Sequence, residues 1–206
     1  MARRVLVLFA HPALEKSRVN RALLAAPKAV EGVTLHDLYE RYPDLIVDVA
    51  REQALLLEHD VVVFQHPFYW YSTPALLKEW QDQVLEHGWA YGKGGDRLRG
   101  KLTLNVVTTG GPRHAYTATG YNRFTVRQLL APYEQTAHLT GMRFLAPLVV
   151  SGTHALVERG DRAALEAHVD RYRRALVAVR DDTLDLDRAA RADELAEVVD
   201  TPREVH

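Results

Sequence analysis

Short continuous apolar runs alternate along the chain with stretches whose apolar residues recur at helical spacing. Val5 to Ala10 is continuously apolar, as a strand buried on both faces requires. Val19, Leu23, Ala26 and Val30 then follow a helical period, with Pro27 predicting a kink or early end. Val33 to Leu38 reads as a second strand, Val49 to Glu58 as a helix and Val61 to Gln65 as a third strand. Pro74 to His87 reads as a helix with proline in its first turn, where a missing N–H costs little. Leu102 to Thr108 is the fourth strand, and Val126 to Thr140 a helix broken near Pro132. Phe144 to Val150 is the fifth strand, and Arg162 to Arg180 a long amphipathic helix.

The strand–helix alternation, repeated five times, predicts an α/β fold: a doubly wound, five-stranded parallel sheet with helices on both faces. Five strands suit the flavodoxin-like order 2-1-3-4-5, in which ligands bind outside the carboxyl ends of the strands at the switch point. The loops to read for function are therefore those after Ala10, Gln65 and Thr108. This domain is expected to run over residues 1–180. Residues 181–206 are expected to form an acidic, mobile or weakly helical tail.

Charge sharpens that division. The 206 residues carry 26 Lys+Arg against 27 Asp+Glu, a formal net charge of −1. Nine of the acidic residues and only three of the basic ones fall after Arg180, which leaves a mildly basic body suited to a phosphate-bearing ligand. No stretch interleaves clustered Lys/Arg with aromatics, so nucleic acid is not expected as a partner. The absence of cysteine excludes disulfides, thiolate metal sites and thiol redox chemistry, so electron transfer would need a bound cofactor. No metal site is expected. No apolar run approaches the roughly 20 residues that span a bilayer, and the first residues lack a signal-peptide pattern; a cytoplasmic location is expected.

The first loop, His11 to Asn20, enters a helix with Ser17 placed to cap it. Free N–H groups from Arg18, Val19 and Asn20, with the His11, Ser17 and Asn20 side chains, would suit an anion; a capped helix that binds nothing fits equally well. The second loop holds four consecutive aromatics, Phe68, Tyr69, Trp70 and Tyr71, at a strand's carboxyl end. Alternation would leave some of these rings in solvent, where a flat ligand or a partner subunit could cover them. The third, Thr108-Thr109-Gly110-Gly111, lets main-chain N–H groups approach a ligand closely, though an ordinary tight turn needs no more. Neither Gly-x-Gly-x-x-Gly nor a Walker sequence is present, which counts against a dinucleotide Rossmann domain and an NTPase. Together the three loops suit a flavin, with its phosphate on the first and its ring system between the other two.

At these residues the chain resembles the flavodoxin-like NAD(P)H:quinone oxidoreductases, the DT-diaphorase superfamily. The carrying segments are Ala10-His11-Pro12, His66 to Lys78, Gly88-Trp89-Ala90-Tyr91-Gly92 and Thr108 to Gly111. The resemblance spans about Val5 to Arg180 and is closest to the bacterial branch that includes ancillary proteins of glutathione-gated potassium-efflux antiporters. It implies flavin contacts from His11, Ser17 to Asn20, Phe68 to Tyr71 and Thr108 to Gly111. FMN is the expected cofactor, with FAD as the alternative, and NAD(P)H (by weak preference NADPH) the hydride donor. It further implies ping-pong transfer of two electrons to a quinone or similar acceptor, and a homodimer. A potassium antiporter is the alternative partner. Tyr116 matches a tyrosine that handles charge on the reduced flavin. Two residues depart from the pattern: the histidine paired with that tyrosine falls near Asn122 here, and Tyr69 replaces a glutamine.

Overall fold

The computed structural model describes residues 2–201; Met1 and the last five residues of the expected tail, 202–206, lie outside the described residues. In chain order the elements are β1 (Val5–Phe9), α1 (Arg18–Leu23), α2 (Ala25–Lys28), β2 (Val33–Asp37), α3 (Leu38–Arg41), α4 (Val49–Leu57), β3 (Val61–Pro67), α5 (Ala75–Val84) and β4 (Leu102–Thr108). There follow α6 (Val126–Leu129), α7 (Ala131–Thr140), β5 (Arg143–Phe144), β6 (Leu148–Val150), α8 (Thr153–Glu158), α9 (Arg162–Arg180), α10 (Leu186–Arg191) and α11 (Ala196–Val199).

All strand pairs are parallel, in the order β2-β1-β3-β4-β5, with β6 also on β4. The expected order is thus present, and the central strands β1, β3 and β4 are buried along their whole length. Helices cover both faces, giving two cores. One sets Val5, Val7, Val61 and Val63 against α1, α9 and the C-terminal segment. The other sets Leu6, Leu8, Val62 and Phe64 against α5 and α7. Alternate residues of one strand serve opposite cores, as the period of two demands.

Three boundaries differ from expectation for local reasons. The first helix breaks at Leu24, ahead of Pro27. The proline has no N–H to give the Leu23 carbonyl four residues back, so the break falls upstream of the ring. The fifth strand is two pieces. Leu102 faces Arg143 whereas Val106 faces Leu148, so one extra residue is accommodated around Ala146-Pro147. Finally, the acidic segment after Arg180 is not a loose tail. Leu184, Ala189, Leu195 and Val198 are buried in the first core. The Ala146 N–H donates to the Ala189 carbonyl (2.7 Å) and the Leu195 N–H to the Pro147 carbonyl (2.8 Å), so this segment caps the interrupted edge strand.

Beneath the second core lies a buried carboxylate. Glu52 accepts from the Tyr42 hydroxyl (2.6 Å), His36 Nε2 (2.8 Å) and Trp80 Nε1 (2.7 Å). Burial would raise its pKa, but the hydrogen bonds from His36 and Tyr42 outweigh that and hold it below the ordinary value. It ties β2 and α4 to α5, the helix that follows the second loop.

Candidate functional site

The loops after β1, β3 and β4 meet at the carboxyl end of the sheet, because those strands are neighbours in register. Ser17 caps α1 by accepting from the Asn20 N–H. The buried Asn20 amide also donates to Ser17 Oγ (3.0 Å) and to Thr108 Oγ1 (3.1 Å), which joins the first loop to the third. The Phe68 N–H donates to the Thr108 carbonyl (2.8 Å), which joins the second loop to the third. One residue, Thr108, therefore locks all three.

The side chains divide by what they can present. His11 is buried, stacked on Phe9 and edge-on to Tyr69 at 6.2 Å; its Nδ1 accepts from the Ala13 N–H (3.1 Å). That bond orients the ring, and burial lowers its pKa, which favours neutral imidazole. Val19, Thr108 and Thr109 have buried side chains, so a ligand meets Val19 only through its main chain. Arg18 is exposed at the first turn of α1.

The second loop is a tight hairpin. Tyr69 and Ser72 exchange main-chain hydrogen bonds (3.3 and 3.0 Å) around Trp70 and Tyr71. Both central residues have positive φ, 49° and 61°, the primed-turn conformation usually given to Asn-Gly. The rings are thrown outward: Trp70 is 93% exposed, and Tyr69 and Tyr71 are also exposed. Phe68 turns inward, 6.5 Å from the Tyr116 ring.

In the third loop a Cβ on Gly110 would stand 2.6 Å from His154 Nε2, and one on Gly111 3.4 Å from the Tyr116 ring. A side chain at 110 would therefore displace the exposed His154 ring from its place over the turn. Among the described residues none accepts from the N–H of Gly110 or Gly111. Thr109 Oγ1 donates to the Gly111 carbonyl (2.9 Å), fixing the turn. Tyr116 stands half-buried beside it. Burial raises its pKa and the Thr109 side chain opposes that, so the phenol stays protonated at neutral pH.

Three residues here were not singled out from sequence for these positions. His154, on α8, lies over Gly110. Asn122 accepts from the Tyr71 hydroxyl (3.1 Å), bridging the aromatic hairpin to the Tyr116 loop. His66 is wholly buried under the hairpin, stacked on Tyr133 at 5.6 Å, with Nδ1 3.0 Å from the Pro67 carbonyl. Burial pushes its pKa down to about 4. Their partners lie 44 to 67 residues away in the chain, a separation that no local pattern reports. His87, expected to end α5, instead lies beyond it, edge-on to Tyr91. Trp89 and Tyr91 are half-buried against the second core.

The arrangement offers main-chain donors, a capped helix start, inward and outward aromatic rings and a protonated phenol at the carboxyl end of the sheet. The glycine turn and aromatic hairpin fit a flat conjugated ring, and the capped helix fits a phosphate.

The chain is similar to several known proteins. The chain is 47% identical over 169 residues to the glutathione-regulated potassium-efflux system ancillary protein KefG of Serratia proteamaculans, covering 82% of this chain and 90% of that one. It is 45% identical over 167 residues to the uncharacterized NAD(P)H oxidoreductase YrkL of Bacillus subtilis, covering 81% and 96%. Among solved structures, general stress protein 14 of Treponema denticola in complex with FMN superposes with a TM-score of 0.79 at 34% identity, covering 85% and 99%. An NADPH-quinone reductase from P. pentosaceus superposes with a TM-score of 0.71 at 34% identity, covering 81% and 95%. Residues 3–176 match the Flavodoxin_2 family, described as having a flavodoxin-like fold. This chain belongs to that family.

Proposed function

We propose that this protein is an FMN-dependent NAD(P)H oxidoreductase that passes two electrons to a quinone-like acceptor by a ping-pong mechanism. The observation that carries the reading is the locking of three ligand-facing loops onto Thr108 at the switch point of the sheet. In this reading Ser17, Arg18, Val19 and Asn20 hold the flavin phosphate, through the N–H groups at the start of α1 and the Ser17 hydroxyl. His11 supports them and packs the wall under Tyr69. Phe68 to Tyr71 and Thr108 to Gly111 enclose the ring system.

A flavin held by these loops would supply the redox chemistry, two-electron transfer from the nicotinamide to the acceptor. The Gly110 and Gly111 N–H groups stabilise negative charge beside them. Tyr116 is the catalytic residue, donating a hydrogen bond from its phenol at the same edge. Asn122, standing where a histidine partners that tyrosine in the resemblance, accepts from Tyr71 rather than titrating. Donor and acceptor would use the same place beside these loops in turn, from which ping-pong kinetics follow. The FMN complex of the 34% identical Treponema protein favours FMN over FAD. The exposed rings of Trp70, Tyr121 and Phe124 favour a homodimer covering this face, and we place the protein in the cytoplasm.

Purification without added cofactor tests the binding half. A flavin spectrum, and FMN released on denaturation, support the reading. A colourless protein that takes up neither FMN nor FAD refutes it.

The second reading, an ancillary subunit of a potassium-efflux system, is favoured by the 47% identity to KefG. Its mark is co-purification with a membrane antiporter.

A further inference from the structure

The C-terminal segment, residues 184–201, lies beyond the residue at which the family match ends, 176. It nevertheless reaches the candidate site. The loop that carries Tyr116 runs from Pro112 to Thr125 and leads into α6, and this segment holds the start of the loop and the first turn of that helix.

At the near end, Arg113 Nε pairs with Glu194 Oε1 at 3.1 Å. Arg113 opens the short turn and its carbonyl accepts from the Tyr116 N–H (3.0 Å), so the pair sits one turn from the Tyr116 main chain. The Glu194 side chain is 17% exposed, so the pair is partly desolvated on that side. At the far end, the Arg127 guanidinium donates to the carbonyls of Ala190 (2.8 Å) and Ala192 at the C-terminus of α10. It also pairs with Glu134 at 3.1 Å and lies over the Phe144 ring at 5.8 Å. A guanidinium at 16% exposure that satisfies two terminal carbonyls is a strong anchor. Between these anchors the Tyr116 loop and the segment face each other across a cavity of about 160 Å³, lined by Tyr116, Ser151, Asp193 and Glu197 among others. The segment itself is fixed by its buried Leu184, Ala189, Leu195 and Val198.

We infer that the C-terminal segment is a strap that sets the position of the Tyr116 loop, with Arg127 and the Arg113–Glu194 pair as its two anchors. Glu194, Arg113 and Arg127 are positioning residues: none is argued to touch substrate, and each acts through the loop on Tyr116. The catalytic consequence rests on the oxidoreductase reading; the mechanical one does not.

The test has two arms. Hydrogen exchange on the full-length protein compares wild type with Glu194→Gln and Arg127→Gln. The strap predicts exchange across residues 113–122 faster by about 3- to 10-fold in Glu194→Gln, with the melting temperature unchanged, and the charge-reversed pair Arg113→Glu/Glu194→Arg restoring protection. Unchanged exchange in both single variants overturns it. If Arg127→Gln is too unstable to purify, Glu194→Gln decides alone. The kinetic arm measures NAD(P)H-to-quinone turnover in Glu194→Gln, Tyr116→Phe and the double variant. A 3- to 10-fold loss of kcat in Glu194→Gln that vanishes in the Tyr116→Phe background supports action through the phenol; equal losses in both backgrounds contradict it. Absence of turnover in wild type refutes the oxidoreductase reading, while the exchange arm still judges the strap.

Discussion

Trp70 and Tyr71 adopt consecutive left-handed conformations, which cost large L side chains about 1–2 kcal/mol each. Trp70 is 93% exposed and gains no packing that would offset this within the chain. Nothing among the described residues offsets that cost, and under the proposed function a bound ligand or a partner subunit would. Trp70→Gly should leave the urea stability equal or raise it by up to about 1 kcal/mol, while weakening flavin binding at least 10-fold. A variant less stable than wild type with unaltered flavin affinity would show the ring to be structural. His66 gives the opposite case, a site residue whose role is packing. Its pKa is lowered from 6.5 to about 4, so the unfolded state binds the proton first as pH falls. The stability it contributes is complete above pH 6.5 and is lost as pH falls toward 4, with about 2 kcal/mol going between pH 7 and pH 5. Urea titrations at the two pH values check this, and His66→Gln should flatten that part of the dependence. Of the residues at this scale, Ser17, the aromatic run and the glycine pair were legible because cap, ring and glycine chemistry are local. The Tyr71–Asn122 bridge and the seat of His154 over Gly110 were not, because they join segments far apart in the chain.

Elements were legible wherever one face or both had to be apolar. β4 and α9 have the bounds that periodicity predicts, and the other central strands agree within two residues. Short elements escaped. α3 is four residues and α8 six, too brief for a 3.6-residue period to declare itself. Proline effects were legible only in part. The break near Pro132 falls between Leu129 and Ala131 as expected, Pro27 acts upstream of itself, and Pro147 splits what reads as one apolar strand. The segment after Arg180 was misread for a different reason. Its acidic surface outweighs four buried apolar residues in composition, and composition does not show which edge of a sheet lies bare. Leu195 is fully buried in the first core. Leu195→Ala should therefore cost about 2–5 kcal/mol in urea unfolding, as a core truncation does. A cost under about 0.5 kcal/mol would mean that this segment contributes little to the fold.

At the scale of the whole molecule, the sheet order follows from alternation and right-handed crossovers, with little freedom left. That order alone brings the loops after β1, β3 and β4 together, so the place of the candidate site was legible before any side chain was assigned. The identity of its ligand rests on finer matters: a glycine turn, a strained hairpin and one threonine that three loops share. In the proposed function these hold a flavin that carries electrons from a nicotinamide to a quinone. Anaerobic titration of the purified protein with NADPH, followed by a quinone, tests it most directly. The proposed function predicts that one equivalent of NADPH bleaches the bound flavin, that quinone restores the colour, and that steady-state double-reciprocal plots are parallel. A flavin that NADPH and NADH both fail to bleach, or a reduced flavin that quinone leaves unchanged, would contradict it.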